Sequence, residues 1–284
     1  MPLRHVGGLD HVVILVEDLE DAAARWRSFG FTLSPRGTHS AHKGTANHTM
    51  MLGPDYIEIL GVLVATELNA LDRARLAAYG PGVDRAALRS DDAEAGLAAI
   101  RALGEAGTGP QSFCRPVTLP DGTVAEAAFR TFDWPEAERA DALRLFACQH
   151  LTPETVWVPE LTRHPNTARR IRRLDCIAQD ARAAAEALAR RMGLDAEVDG
   201  SGAWTVRTGA GRAEIRFLDP EGFGDRYPGA DASAPRHAGA AALVVEVDDL
   251  DTAAASSPAA RRVAERIVIG PEAATGVLLA FEPA

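Results

Sequence analysis

Two side chains near the start of the chain have the type and setting for chemistry. His11 sits in the alternating run Leu9-Asp10-His11-Val12-Val13-Ile14-Leu15-Val16. In a strand it shares one face with Val13 and Leu15, while Val12, Ile14 and Val16 take the other. Glu58 sits in Tyr56-Ile57-Glu58-Ile59-Leu60, on the face of Tyr56 and Leu60. An imidazole can carry a proton near neutral pH or offer a neutral nitrogen to a metal. A carboxylate between isoleucines in a core strand is costly unless it is paired or bound to a cation, and a salt bridge to an arginine would meet the same need.

The elements that must hold these residues form a repeat. The strand around His11 is followed by acids Glu20 and Asp21, an alanine-rich helix to Phe29, and Gly30 as its stop. Strands are expected at Phe31–Leu33, Thr45–Leu52 and Tyr56–Val62, with a Gly/His/Ser-rich loop at Pro35–Gly44 in which His39, His42 and Lys43 read as solvated or as a cover for the site. The order is βαβββ. A linker helix is expected over Thr66–Tyr79.

Gly82-Val83-Asp84-Arg85 then lies without a gap beside Gly8-Leu9-Asp10-His11, so a second unit begins there with Arg85 in the place of His11. It continues through a helix at Ala93–Leu103 and strands at Phe113–Leu119, Thr123–Phe132 and Arg144–Leu151, with a Pro120-Asp121-Gly122 hairpin turn. A third unit is read from Ile171, with helix Ala181–Met192, and a fourth from Ala240. Neither has a histidine in its first strand. The segment Thr152–Asn166, rich in turn formers, is the expected boundary between a first domain (1–160) and a second, more degenerate one (165–284).

Composition narrows the function classes. A chain of 284 residues, 46% hydrophobic, with a formal net charge of -10, reads as globular and argues against nucleic acid or anionic membranes as partners. No run approaches a membrane span and no apolar signal core opens the chain, so the expected location is cytoplasmic. Three well-separated cysteines point to free thiols. Of the 30 lysines and arginines only one, Lys43, is lysine, which reads as base bias.

With its four βαβββ units and its His11 and Glu58 strands, the sequence resembles the vicinal oxygen chelate superfamily, and within it the glyoxalase-like domain proteins. The resemblance implies an α+β fold of repeated βαβββ modules paired into curved, cleft-forming mixed sheets. It implies that His11 and Glu58 are metal ligands, with Glu58 also a catalytic base. The third ligand would be His150, with Gln149 as rival; the two are adjacent, so one alone can face the cleft. Arg85, Tyr56, Asn47, His48 and Gln149 are the candidate substrate contacts. Either His48 or the Asn47/Thr49 face looks inward, and Arg85 either holds a substrate carboxylate or pairs with Glu58 in place of a metal.

The implied cofactor is a divalent ion (Zn, Ni, Mn or Fe). The implied activity is that of a lyase or isomerase on a small oxygen-rich metabolite, in a possible homodimer. A metal-free binding or resistance protein is the alternative, and ring cleavage, which wants iron on two histidines and a carboxylate, is a third reading.

Overall fold

The computed structural model describes residues 3–119, 121–136, 143–230 and 240–284, which leaves Pro120 of the expected hairpin turn outside the described residues. The first unit is β1 (Val6–Val16), α1 (Leu19–Ser28), β2 (Gly37–Thr38), β3 (Thr45–Met51) and β4 (Tyr56–Val62). A connecting helix α2 (Ala70–Tyr79) leads to the second unit: β5 (Gly82–Ser90), α3 (Ala93–Ala102), β6 (Thr108–Thr118), β7 (Val124–Asp133) and β8 (Arg144–His150). The third is β9 (Ala168–Ile177), α4 (Ala181–Met192), β10 (Ala196–Val198), β11 (Trp204–Arg207) and β12 (Glu214–Leu218). A short helix α5 (Pro220–Arg226) precedes the fourth: β13 (Ala240–Val247), α6 (Leu250–Ala255), β14 (Arg261–Val263), β15 (Arg266–Ile269) and β16 (Leu278–Pro283).

Units pair into two eight-stranded sheets, β2-β3-β4-β1-β5-β8-β7-β6 and β10-β11-β12-β9-β13-β16-β15-β14. In each, the first strands of two units run antiparallel at the centre, and each is flanked by the parallel last strand of its own unit. The first sheet curls until its edge strands β2 and β6 touch. Phe31–Leu33 is not a strand: Ser34 N donates to Thr49 O and the edge strand forms later, at Gly37 and Thr38.

Helix starts follow the sequence closely. Asp18, Asp92, Asp180 and Asp249 each accept backbone N–H bonds in the first turn of α1, α3, α4 and α6, satisfying donors that a helix leaves open. The alternation of β1 sorts its residues as a half-buried strand should. Val12, Ile14 and Val16 enter the main core with Trp26, while Val13 and Leu15 face the other way beside Leu60.

That main core is continuous across both sheets, joining Phe31 of the first half to Phe281 of the second. Polar clamps cross the same seam: Trp26 Nε1 donates to Thr275 Oγ1 at 3.0 Å, Leu9 N to Thr208 Oγ1 at 2.9 Å, and Ile171 N to Asp55 Oδ1 at 2.8 Å. His164 is also structural, accepting from Thr32 N and donating to Met51 O.

Asp55 is fully buried and its carboxyl is pushed up to about 7, chiefly by burial. A carboxyl whose folded pKa exceeds its unfolded value favours the fold below the unfolded value, and that contribution is lost as pH rises through the folded one. Asp55→Asn keeps an acceptor for Ile171 N. The variant is therefore expected to match the wild type near pH 4 and to exceed it by about 4 kcal/mol at pH 8, as measured by urea unfolding at the two pH values.

Candidate functional site

The curled first sheet encloses a cavity of about 310 Å³ lined by His11, Tyr56, Glu58, Asn47 and Arg85, with Lys43, Arg115 and several aromatic rings. The geometry at His11 begins with a β-bulge. Leu9 pairs with Leu88 and His11 with Ala87, so Asp10 is an extra residue on β1 and the strict alternation of faces is broken there. The fully buried Asp10 carboxylate accepts from its neighbour, His11 Nδ1, at 2.8 Å. The same Oδ2 accepts from His150 Nε2 at 2.9 Å. Burial pushes the Asp10 carboxyl up, but the hydrogen bonds from His11 and His150 outweigh burial and hold it well below the usual range.

With its Nδ1–H committed, His11 presents the Nε2 lone pair to the cleft. Tyr56 stacks on the ring at 4.1 Å between centroids, and its hydroxyl lies 3.3 Å from Nε2. Burial raises the Tyr56 pKa, so the hydroxyl remains a donor. Glu58 Oε2 lies 3.7 Å from Nε2, and Asn47 Nδ2 donates to Glu58 Oε1 at 2.7 Å. A gap of 3.7 Å is too long for a hydrogen bond but suits two ligands reaching one ion through bonds of about 2.1 Å. An imidazole tied to a buried carboxylate is also how proteins orient a ligating histidine.

Arg85 does not pair with Glu58. It donates to Asp72 Oδ1 and ion-pairs with Asp84 Oδ2, each at 2.7 Å. The sheet's internal symmetry explains this. Val13 pairs with Arg85, then Ile14 with Val83, so Asp84 is a second bulge residue, fully buried like Asp10 and likewise bonded to its neighbour. Tyr56 pairs with His11 as Arg144 pairs with Arg85, and Glu58 with Val13 as Phe146 with Ala87. The counterparts of His11 and Glu58 are thus Arg85 and Phe146, neither of them a metal ligand.

Three expected site residues are placed elsewhere. His150 stands on the Phe146 and Cys148 side of β8, but its Nε2 is spent on Asp10 and its ring packs against Tyr56, Phe129 and Trp157. Gln149 points away from the cleft, accepting from Ala93 N and donating to Asp91 O at the start of α3. His48 is buried on the opposite face of β3, with Nδ1 on Ser34 O and Nε2 3.6 Å from Glu20 Oε2, and it is Asn47 and Thr49 that line the cavity. Among the described residues, the group of three His, Cys, Asp or Glu whose ligand atoms lie within 4.8 Å of one another is Asp10, Cys148 and His150. Asp10 there already serves two imidazoles, and burial pushes the Cys148 thiol well up, away from the thiolate a metal needs. On the cavity wall, His11 and Glu58 are a pair whose ligand atoms lie close enough to share one ion.

Sequence reasoning missed Asp10, although the aligned pairs Leu9-Asp10 and Val83-Asp84 carried the signal. It left the loop of His39, His42 and Lys43 either solvated or as a cover for the site. His39 and Lys43 line the cavity, and burial pushes the His39 pKa down to about 4. In the second sheet, Ile171 pairs with Val245 and Arg173 with Val244, a bulge matching that at Asp10. The position of His11 there holds Arg173, and that of Glu58 holds Arg216, which pairs with Asp175. The Phe223 and Tyr227 rings of the α5 region pack onto that sheet.

Residues 9–192 match the family model of the glyoxalase-like domain. No curated protein sequence matches the chain. Among solved structures, a hypothetical protein from Staphylococcus aureus superposes with a TM-score of 0.68 at 11% identity, covering 97% of this chain and 99% of its own. A xylose isomerase-like TIM barrel/4-hydroxyphenylpyruvate dioxygenase fusion protein gives 0.60 at 14% identity, covering 99% of this chain and 49% of its own. A mutant of 4-hydroxymandelate synthase from Streptomyces coelicolor gives 0.59 at 13% identity, covering 100% and 93%. At these identities the likeness is one of fold.

Removing the carboxylate that anchors both imidazoles leaves two buried N–H donors without an acceptor. Asp10→Ala is expected to cost about 3 kcal/mol in chemical denaturation. In the folded wild type, nitrogen-15 spectra of the imidazoles are expected to show His11 as the Nδ1–H tautomer, and Asp10→Ala to mix the two tautomers.

Proposed function

Since the chain belongs to the glyoxalase-like domain family of the vicinal oxygen chelate superfamily, we propose that its N-terminal cleft is the active site of an isomerase or lyase that moves protons on a small, oxygen-rich, anionic metabolite. The observation that carries this reading is the approach of His11 Nε2 to Glu58 Oε2 at 3.7 Å, with Arg85 engaged by Asp72 and Asp84 instead.

Glu58 is anchored through Oε1 by Asn47, which leaves Oε2 to take a proton from a carbon beside a carbonyl and return it to a neighbouring atom. His11, fixed through Asp10, presents a single nitrogen of defined tautomer. The Tyr56 hydroxyl can donate to an oxygen on which charge develops. Lys43 and Arg115 on the cavity wall supply positive charge for the acid group of the ligand. A divalent ion held by His11 and Glu58 would polarise vicinal oxygens as a Lewis acid, with its open positions left to ligand and water. Ring cleavage is less well served, because His150, the second histidine it would need, is committed to Asp10.

Calorimetric titration of untagged protein with Mn²⁺, Ni²⁺ and Zn²⁺ tests the reading. One ion per chain is expected for at least one metal, with affinity falling at least about tenfold in His11→Ala and in Glu58→Gln, as loss of one of two ligands implies. An apoprotein that takes up no ion, or variants that bind as the wild type does, would favour the second reading, a metal-free binding protein. The observation behind that alternative is that Arg85 and Phe146 occupy the symmetry-related positions.

A further inference from the structure

The chain's single lysine lies in the cavity wall. Twenty-nine of its 30 lysine and arginine positions are arginine, so ion pairs and surface charge are served almost everywhere by guanidinium groups. Arginine keeps its proton under all ordinary conditions, whereas an amine in a desolvated setting can release one. The single exception to arginine therefore stands where that difference has chemical use.

The backbone at Lys43 is held from both sides. Lys43 N and Gly44 N both donate to Ser40 O, closing a turn. Gly44 has φ +64, and a Cβ there would lie 2.3 Å from Val64 O, so the turn requires glycine. The buried Asn69 donates through Nδ2 to Lys43 O at 2.9 Å and to Val64 O at 2.8 Å. From this support the side chain reaches across to β6, where Nζ sits 3.7 Å from the centre of the Phe113 ring. Among the described residues Lys43 makes no ion pair. Burial lowers its pKa, with Glu58 and Asp133 pulling the other way and Arg85 adding to the fall.

We propose that Lys43 is a nucleophilic amine that captures the carbonyl carbon of the cleft's ligand as an imine, and that the ligand is an aldehyde or ketone bearing an acid group. This deepens the proton-transfer reading above and rests on it. The nitrogen lone pair forms the new C–N bond while the carbonyl π pair moves to oxygen. The nitrogen then gives up its two protons, and the oxygen collects two and leaves as water. Glu58 and His11, on the wall of the same cavity, are the groups to carry those protons, and no oxidant or reductant is consumed.

Arg115 is the partner for the acid group. It projects from β6 on the same side as Phe113 and, among the described residues, makes neither an ion pair nor a hydrogen bond. It also lines an adjoining chamber of about 220 Å³, which shares Thr49, Arg115 and Val156 with the main cavity. A guanidinium without a carboxylate at such a junction suits an anionic ligand.

The test is reductive trapping on the full-length chain, with glyoxylate as the anionic carbonyl, propanal as the neutral one and cyanoborohydride as the reductant, followed by peptide mass mapping. Glyoxylate is expected to place one carboxymethyl group on the Lys43 peptide at least about tenfold faster than on free Nα-acetyl-lysine at neutral pH, because the cleft holds amine and anion side by side. Lys43→Arg, which keeps the charge, should remove that label while the N-terminal amine still reacts. Arg115→Met should slow glyoxylate about tenfold and leave propanal unchanged.

Label confined to the N-terminus, or a Lys43 rate no greater than that of acetyl-lysine, overturns the proposal. Equal effects of Arg115→Met on both probes overturn the acid-group part of it. Titration of Lys43→Arg with metal separates the two readings: a variant that still binds one ion but takes no label fails this inference alone, and a labelled wild type that binds no ion fails the metal-dependent form of the other.

Discussion

The site depends on one buried carboxylate. Asp10 has no exposure to solvent, and one of its oxygens accepts from both His11 and His150. An ionised carboxylate away from water is tolerated only where donors replace the solvent. Here two imidazole N–H groups do so, and in return the carboxylate fixes the tautomer and orientation of His11. The Tyr56 stack, the approach of Glu58 and the aim of His11 Nε2 toward the cleft all follow from that arrangement. The bulge makes it possible, since a regular strand would send neighbouring side chains to opposite faces.

The structural repeat is used asymmetrically. The two units of the first sheet share a bulge with a buried aspartate bonded to the next residue, yet one holds histidine and the other arginine. The arginine side becomes a closed ion-pair cluster in which Asp84 meets Arg75, Arg85 and Arg144. Such a cluster is satisfied internally and confers geometry more than reactivity. The histidine side retains a nitrogen that meets the Tyr56 hydroxyl and a carboxylate anchored by Asn47, both on the cavity wall. The third unit repeats the bulge with Arg173 in the place of His11 and Arg216 in the place of Glu58, and its cluster is similarly closed by Asp175 and Glu282. One cleft is thus left with groups free to act, while the continuous core and the clamps at Asp55, Trp26 and Leu9 tie that cleft to the second half.

The charge of the cleft follows the same division. Asp72 and Asp84 neutralise Arg85, and Asn47 rather than a cation holds Glu58. Among the described residues, Lys43 and Arg115 remain as basic groups without carboxylate partners. An anionic ligand entering this space would meet one guanidinium, one lysine amine, one carboxylate and one imidazole.

Period-2 alternation, the acids and glycine that bound the first helix, and the ungapped match of Gly8–His11 with Gly82–Arg85 made the four βαβββ units and the His11 and Glu58 strands legible in the sequence alone, because each is a local or repeated pattern. Local pattern also paired Asn47 with Thr49 on one face and set His150 against Gln149 on opposite faces, without saying which face was inside. Only the tertiary structure decided that. Gln149 turns to the start of α3, His48 to the back of β3, and His150 to Asp10, since each choice depends on which distant backbone or carboxylate needs a partner. The bulge that joins Asp10 to His11, and the turn that carries Lys43 to the Phe113 ring, are set by register against β5 and by the Asn69 clamp. These are contacts between residues far apart in the chain, and no spacing within a single strand encodes them.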